Sequence, residues 1–429
     1  MESFVIEGGV PLSGRVRPGG NKNEALPAIA AAMLSAEPVI LDNVPDIIDV
    51  RVMLQICEAM GSEVIWLGRN QVQLHTPTLR TTEVPVELAR RVRASILFAG
   101  PIVARSGAVD LPPPGGDVIG RRRLDTHFDG LLRLGADLQP GDIYRLRTAD
   151  GAGLRGVDLF LDEASVTATE NLLMAASLAK GRTILRNAAC EPHVQGLSRM
   201  LVAMGARISG IGTNQLTIDG VERLGAVHHT IGPDYLEIGS FVGLAAVTGG
   251  ALTIEGVIEE DLRMVRMVFE RLGVRTEIRG GDLFVPGRQK LEIRPDLSGH
   301  VPKIDDAPWP QFPTDLMSIA ITVATQSRGT VLFFEKMFEG RMFFVDALIG
   351  MGAQIILCDP HRVVVVGPST LYGSRLESPD VRAGMALLIA ALCARGRSKI
   401  DNIRQIDRGY ERIEEKLRAL GARIERVSS

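Results

Sequence analysis

The sequence predicts a two-domain α/β protein built from six copies of one helix–strand unit, three in each domain. Three observations predict it. The chain has 429 residues, of which 45% are hydrophobic and 23% charged. At roughly 150 residues per domain, that composition suits two or three globular domains with large cores. Next, an amphipathic helix ending in Leu or Met, then Gly, then a strand, recurs six times. The segments are Met60-Gly61-Ser62-Glu63-Val64, Leu134-Gly135-Ala136-Asp137-Leu138, Met204-Gly205-Ala206-Arg207-Ile208, Leu272-Gly273-Val274-Arg275-Thr276, Met351-Gly352-Ala353-Gln354-Ile355 and Leu420-Gly421-Ala422-Arg423-Ile424. These glycines fall roughly every 70 residues, the mark of a repeated structural unit. A glycine there fits a helix end that wants left-handed backbone. Finally, an Ala-rich helix that stops at a small-residue turn and enters a strand interleaves with the first signal. It appears in AAMLSAEPVILDNV, PIVARSGAVDLP, AASLAKGRTILRNA, AAVTGGALTIEGV, ITVATQSRGTVLFFE and AALCARGRSKIDNI. That second helix is apolar nearly all round, so it belongs in a core.

Taken in order, residues 1–20 read as a strand, a turn and a strand outside either helix pattern. Units one to three fill roughly 21–232. The stretch VERLGAVHHTIGPD (221–234) is a candidate crossing point, and its His228 and His229 read as solvated. Units four to six fill 233–429. Two long uncharged stretches, Ile238–Ile254 and Ala383–Ala394, read as buried helices, the second too short to span a bilayer at about 20 residues. Gly210-Ile-Gly212 sits in a hairpin and reads as a turn, not a dinucleotide loop.

Composition excludes several classes. Lys+Arg 48 against Asp+Glu 51 gives a formal net charge of −3, so no global basic field exists to hold nucleic acid. Aromatics at 4% are too few for base-stacking platforms. Cys57, Cys190, Cys358 and Cys393 lie far apart without a CxxC pair. That pattern is neither a disulfide framework nor a zinc site, and it fits a reducing cytosol. Met-Glu-Ser-Phe-Val-Ile-Glu lacks the features of a signal peptide. There is no GxxxxGK[ST], HExxH or GxSxG motif, and no His/Cys/Asp cluster has metal-ligand spacing. Nothing specifies an oligomer.

Three loops carry candidate chemistry. In Pro18-Gly19-Gly20-Asn21-Lys22-Asn23-Glu24, the asparagine after the diglycine can cap the helix that follows. Lys22 opposes the helix dipole there, which makes sense if an anion docks; otherwise it is a solvated lysine. Pro112-Pro113-Pro114-Gly115-Gly116-Asp117-Val118-Ile119-Gly120-Arg121-Arg122-Arg123-Leu124-Asp125 joins a stiff stem to a mobile tip. Its three arginines either clamp phosphate or carboxylate or form a solvated charge run. Pro308-Trp309-Pro310-Gln311-Phe312-Pro313-Thr314-Asp315 leads into an apolar helix, with Asp315 as an N-cap, the favoured reading, or a general base.

At these residues the chain resembles the enolpyruvyl transferases. The similarity runs nearly end to end through GGNKNEALP, RASILFAGPIVARSG, PGGDVIGRR, ASVTATENLLMAASLAKG, PQFPTDL, FEGRMFFV and IDRGYERIEEKLRALGARIERV. The resemblance implies an inside-out α/β barrel fold, with two similar domains of three βαβαββ units, buried helices and outer sheets. One lobe is 21–232 and carries the mobile loop at about 112–123; the other is 1–20 with 233–429 and carries Asp315, the ligands lying between them. It further implies addition and then elimination. The 3′-hydroxyl of UDP-N-acetylglucosamine attacks phosphoenolpyruvate and phosphate leaves, with no cofactor and no metal, in the cytoplasm. The alternatives are a paralogue with another nucleotide or sugar acceptor, or a non-catalytic UDP-sugar sensor.

By motif matching, the resemblance assigns Lys22, Arg122 and Arg408 to phosphoenolpyruvate, Asp117 to proton donation, and Asp315 to deprotonation of the sugar hydroxyl. Asn23 contacts the sugar and Arg93 is another ligand position. Arg122, Arg123, Leu124, Asp125, Thr126, Ser165, Val166, Thr167 and Met337 cradle the UDP-sugar. Arg341 joins the substrate contacts, and Asp380 and Arg382 form a charged pair. Most members of the family carry Cys where Asp117 stands. Other departures fall at Ile48, Arg51, Thr167 and Leu236.

Overall fold

All six amphipathic helices end where the repeat predicts. Their glycines, Gly61, Gly135, Gly205, Gly273, Gly352 and Gly421, have φ between 89° and 115°, the left-handed region that a side chain would strain. The structure is a computed structural model that describes residues 2–116, 119–149 and 153–428. Its chain divides into two units. The first comprises residues 20–116 and 122–232; the second comprises 2–19, 119–121 and 233–428.

In the first unit, the helices Lys22–Ala32, Ala99–Ser106 and Val166–Ser177 form the centre. Nearly every residue of the first and third is buried, as their Ala-rich composition requires. Three sheets surround them. One sets Val227–Thr230, Val39–Asp42, Gln71–His75 and Glu63–Gly68 side by side. The others hold Ala108–Leu111, Tyr144–Thr148 and Ala136–Gln139, and Arg207–Ser209, Gln215–Asp219, Arg182–Arg186 and Asp158–Phe160. Strand residues alternate: Val39 and Leu41 are fully buried while their neighbours are not, the period of two expected of a sheet with one covered face.

The second unit repeats the plan around Tyr235–Thr248, Met317–Ala324 and Val381–Cys393. Its residues form a separate hydrophobic core from those of the first unit. The N-terminal strands complete two of its three sheets. Gly14–Val16 pairs parallel with Leu252–Ile254. Glu2–Glu7 lies between Arg397–Asp401 and Arg423–Ser428, antiparallel to both.

One expectation is corrected. The uncharged stretch Ile238–Ile254 is not a single helix, because the helix ends at Thr248 and residues Leu252–Ile254 are a strand. Gly249 takes φ 71°, and a Cβ on Gly250 would lie 1.7 Å from the Leu12 carbonyl oxygen. The chain must turn where it meets the N-terminal segment, and apolar composition alone does not reveal that. The Gly210 to Gly212 hairpin stands as read, with φ 84° and 85° at the two glycines.

Candidate active site

In the first unit, the diglycine turn delivers Lys22 and Asn23 to the start of a central helix. Asn21 is the N-cap, and its side chain accepts from the Asn23 N–H at 2.8 Å. Gly20 is required by space: a Cβ there would lie 1.7 Å from the Asn43 carbonyl oxygen. Asn43 cannot yield easily, since its Nδ2 donates to the Ile231 carbonyl at 2.9 Å. Gly20→Ala is therefore expected to destabilise the protein by about 1–3 kcal/mol, the range for overpacking. A thermal melt checks this; an unchanged Tm would mean that the turn adjusts without cost.

Lys22 is not solvated. Its Nζ lies 2.8 Å from Asp49 Oδ2, with 12% and 3% of the two side chains exposed. Asp49 sits in the first turn of Ile48–Met60, where a carboxylate also favours the helix dipole. Sequence reading missed this partner. Glu24, in the first turn of the same helix, accepts from the Gly232 N–H at 3.1 Å and lies 2.9 Å from His229 Nε2. His229 is thus largely buried rather than solvated; His228 lies 2.6 Å from Asp42.

Arg93 holds main chain. Its Nη2 donates to the carbonyls of Arg122 at 2.7 Å and Arg123 at 3.2 Å. Burial and the neighbouring Arg122 push its pKa down to about 10. Arg123 turns to Asp125 at 3.1 Å and to Asp162 at 3.7 Å, so the three-arginine run is only partly available to a ligand. Leu124 precedes the helix Asp125–Arg133, and the Thr126 hydroxyl donates to Asp162 at 2.7 Å. Asp117 lies outside the described residues.

Ser165 is the N-cap of Val166–Ser177 and accepts from the Ala168 N–H. Thr167, one residue past Val166, is held from behind. Asn171 Nδ2 donates to the Ile96 carbonyl at 2.8 Å and faces His127 Nδ1 at 3.0 Å, while His127 Nε2 lies 3.1 Å from Thr167 Oγ1. Since Asn171 Oδ1 accepts from the Gly100 N–H, its amide nitrogen faces the ring. His127 Nδ1 is then the acceptor and Nε2 the donor to Thr167. Burial and Arg93 hold the His127 pKa down to about 3, which keeps the ring neutral. The Thr167 hydroxyl, taken as an acceptor, has its own proton left to donate elsewhere.

In the second unit, Asp315 is not the helix cap that its position in the sequence suggests. Pro313 occupies the cap position of the short turn Thr314–Leu316. The Asp315 carboxylate is instead clamped by two guanidinium groups: Arg341 Nη2 donates to Oδ1 at 2.6 Å and Arg382 Nε to Oδ2 at 3.0 Å. Arg382 also donates to the Tyr410 hydroxyl at 3.2 Å, and that oxygen lies 2.9 Å from the Ser240 hydroxyl. Burial opposes the Arg382 charge, but Tyr410, Asp315 and Asp234 outweigh it and hold its pKa well above the usual value. Burial raises the Asp234 pKa to about 6 while Arg382 pulls it back.

Asp380 and Arg382 do not form the expected side-chain pair. Asp380 Oδ1 caps the helix Val381–Cys393, accepting from the N–H groups of Arg382 and Ala383. Arg341 Nε is buried without an acceptor among the described residues. Met337 is 37% exposed, and its N–H donates to Glu335. Arg408 closes the turn Ile403–Arg408, with Nη1 3.2 Å from Gln405 Oε1.

A family model described as EPSP synthase (3-phosphoshikimate 1-carboxyvinyltransferase) matches residues 6–417. The chain belongs to this enolpyruvyl transferase family. Among curated relatives, a Treponema denticola protein is 57% identical over 425 residues, covering 99% of both chains. One from Bradyrhizobium diazoefficiens is 56% identical, covering 99% of this chain and 98% of that one. Both carry the name UDP-N-acetylglucosamine 1-carboxyvinyltransferase. The solved enolpyruvyl transferase NikO from Streptomyces tendae is 23% identical, with TM-score 0.88 over 100% of this chain and 99% of that chain. An EPSP synthase from Acinetobacter baumannii is 18% identical, with TM-score 0.76 over 100% of both chains. These structures establish the enolpyruvyl transferase fold, the inside-out α/β barrel: in each unit, helices take the centre and three sheets lie outside. Among the described residues of this enolpyruvyl transferase, no helix is long and apolar enough to cross a membrane, and no group of three or more His, Cys, Asp or Glu is arranged to hold a metal ion.

Proposed function

We infer that the protein transfers the enolpyruvyl group of phosphoenolpyruvate to the 3′-hydroxyl of UDP-N-acetylglucosamine and releases phosphate. The observation that carries this is similarity over 99% of the chain, at 57% identity, to a protein of that name. Phosphate release from phosphoenolpyruvate, measured with a panel of acceptors, tests it. Turnover with UDP-N-acetylglucosamine is the expected result. Turnover with another acceptor points to a paralogue, and none with any acceptor points to a sensor.

In this reading, the sugar hydroxyl adds to C2 of phosphoenolpyruvate, its proton goes to Asp315, and C3 gains a proton from Asp117. The tetrahedral ketal then loses a proton from C3 and expels phosphate, which restores the double bond in the product. Both substrates are anionic, so preorganised cations stabilise the charge that develops. We assign Lys22, Arg122 and Arg408 to phosphoenolpyruvate. Asp49 supplies the countercharge that Lys22 exchanges for the ligand, since the pair is already made. Asn23, Asp315, Arg341 and Met337 meet the sugar. Arg93 fixes the backbone of Arg122 and Arg123. The N-terminus of Val166–Ser177 and the Thr167 hydroxyl receive the diphosphate. The cytoplasm and the first committed step of peptidoglycan synthesis are the setting this activity implies.

One consequence is pharmacological. Fosfomycin inactivates the Cys-bearing members by forming a stable thioether, and a carboxylate at position 117 cannot form one. Activity is expected to survive prolonged incubation with the drug; rapid, irreversible loss would contradict the role given to Asp117.

A further inference from the structure

Joined to Asp315 through the neighbouring Thr314 is a second pair of acids that the proposed reaction does not use. Glu335 and Asp306 are both fully buried. Glu335 is the hub of two segments. Its Oε1 accepts from the N–H groups of Met337 and Phe338, each at 3.1 Å. The Thr314 hydroxyl lies 3.1 Å from Oε1 and 2.9 Å from Oε2, and Thr314 immediately precedes Asp315. Asp306 ties down the residue between them: its Oδ1 accepts from the Lys336 N–H at 2.6 Å. Asp306 Oδ2 is buried and meets no N–H or O–H donor among the described residues.

Two buried carboxyl groups that act on one another, as Asp306 does on Glu335, cannot both ionise cheaply. An oxygen without a donor, beside another carboxyl, is the signature of a proton held between the two. We propose that Glu335 and Asp306 share one proton and act together as the positioning element for the acceptor sugar. The pair holds the loop from Met337 to Arg341 and the turn from Thr314 to Asp315 in register, and releases them when the proton is lost. This rests on the reading that Met337 and Asp315 meet that sugar.

The surrounding charges support the assignment. Burial, then the hydrogen bond and charge of Asp306, raise the Glu335 pKa to about 8; Arg341 and Thr314 act the other way. Arg341 is engaged with Asp315 and also faces Asp380 and Arg382. Lys336 is turned to Asp305 at 2.8 Å. His361 Nδ1 lies 2.7 Å from the Glu335 main-chain carbonyl, not from its carboxyl. No cation is therefore paired with the Glu335 carboxyl in a described ion pair to replace the proton when it leaves. An acid whose folded pKa stands above its unfolded value stabilises the fold at low pH, and that contribution is lost as pH rises through the folded value. Here the loss falls on the two segments that Glu335 holds.

The test compares the full chain with E335Q and E335A between pH 6 and 9.5. Glutamine keeps an acceptor for Met337 and Phe338 and a donor for Asp306, so it imitates the protonated form permanently. For the unmodified protein, KM for UDP-N-acetylglucosamine is expected to rise at least tenfold between pH 7 and 9.5, while KM for phosphoenolpyruvate moves less than twofold. E335Q is expected to stay within about threefold of the unmodified KM at pH 7 and to remain flat up to pH 9.5. E335A is expected to raise the acceptor KM at least tenfold at pH 7. An E335Q protein that keeps the alkaline rise, or an E335A protein with an unchanged acceptor KM, overturns the proposal. Hydrogen exchange of the amides in residues 336–341, corrected for the intrinsic rate, needs no turnover and separates this from the identity of the substrate. Protection lost above pH 8 in the unmodified protein and retained in E335Q supports the shared proton. The same pH dependence in both proteins rejects it, whether or not UDP-N-acetylglucosamine is the acceptor.

Discussion

Replacing Arg382 with methionine is expected to cost about 3–5 kcal/mol at neutral pH, the range for removing one partner of a buried charge pair. The side chain is 5% exposed and neutralises Asp315 and Asp234 together. Methionine fills similar space but leaves those carboxyl groups short of a cation. For a unit of this size, the loss corresponds to a fall in Tm of roughly 6–20 °C. The defect should shrink on acidification. Asp234 already holds its proton up to about pH 6, and without Arg382 it would hold it higher, so the deficit is largest above that value and fades below it. A Tm difference between the two proteins that stays constant from pH 5 to pH 8 would rule out this electrostatic account. Turnover should fall by at least two orders of magnitude, because Asp315 loses one of the two guanidinium groups that aim it. Arg382→Lys keeps the charge but not the planar fork that reaches Asp315 and Tyr410 together, so it should recover stability better than rate.

Asp117→Asn should lower kcat by about 10²–10⁴-fold, the usual contribution of a positioned general acid, while UDP-sugar binding measured by calorimetry stays within a few-fold. The amide has the carboxyl's shape but no acidic proton to give. Asp117→Cys, by contrast, should retain turnover and acquire inactivation by fosfomycin, because a thiol can both donate the proton and attack the drug. Full turnover in the Asn variant would remove Asp117 from the chemistry.

Much of the fold could be read from one residue type. Gly61, Gly135, Gly205, Gly273, Gly352 and Gly421 mark helix ends because left-handed backbone is a local requirement, visible one residue at a time. The Ala-rich helices were likewise legible, since burial on all sides leaves a continuous apolar run. The candidate loops were visible as loops: Pro18 to Glu24, Pro112 to Asp125 and Pro308 to Asp315 all stand out in the sequence by their turn chemistry. Pairings were not legible. Lys22 with Asp49, Asp315 with Arg341 and Arg382, His127 with Thr167, and Glu335 with Asp306 join residues distant in sequence. No periodicity links them, because the fold alone brings such partners together. Asp315 shows the limit well: its position before an apolar helix suggests a cap, and Arg341 and Arg382, from two other segments, reveal otherwise.

The placement of the strand Glu2–Glu7 between Arg397–Asp401 and Arg423–Ser428 imposes an order on biosynthesis. All the strands of residues 20–232 are available once Thr230 has left the ribosome, so that half can mature early. The strand Glu2–Glu7 must wait for the two strands between which it lies. At about 5–20 residues per second, the interval is roughly 20–80 s. During that time a segment whose buried face is Phe4 and Ile6 lacks both flanking strands, which makes this nascent segment a natural client for chaperones.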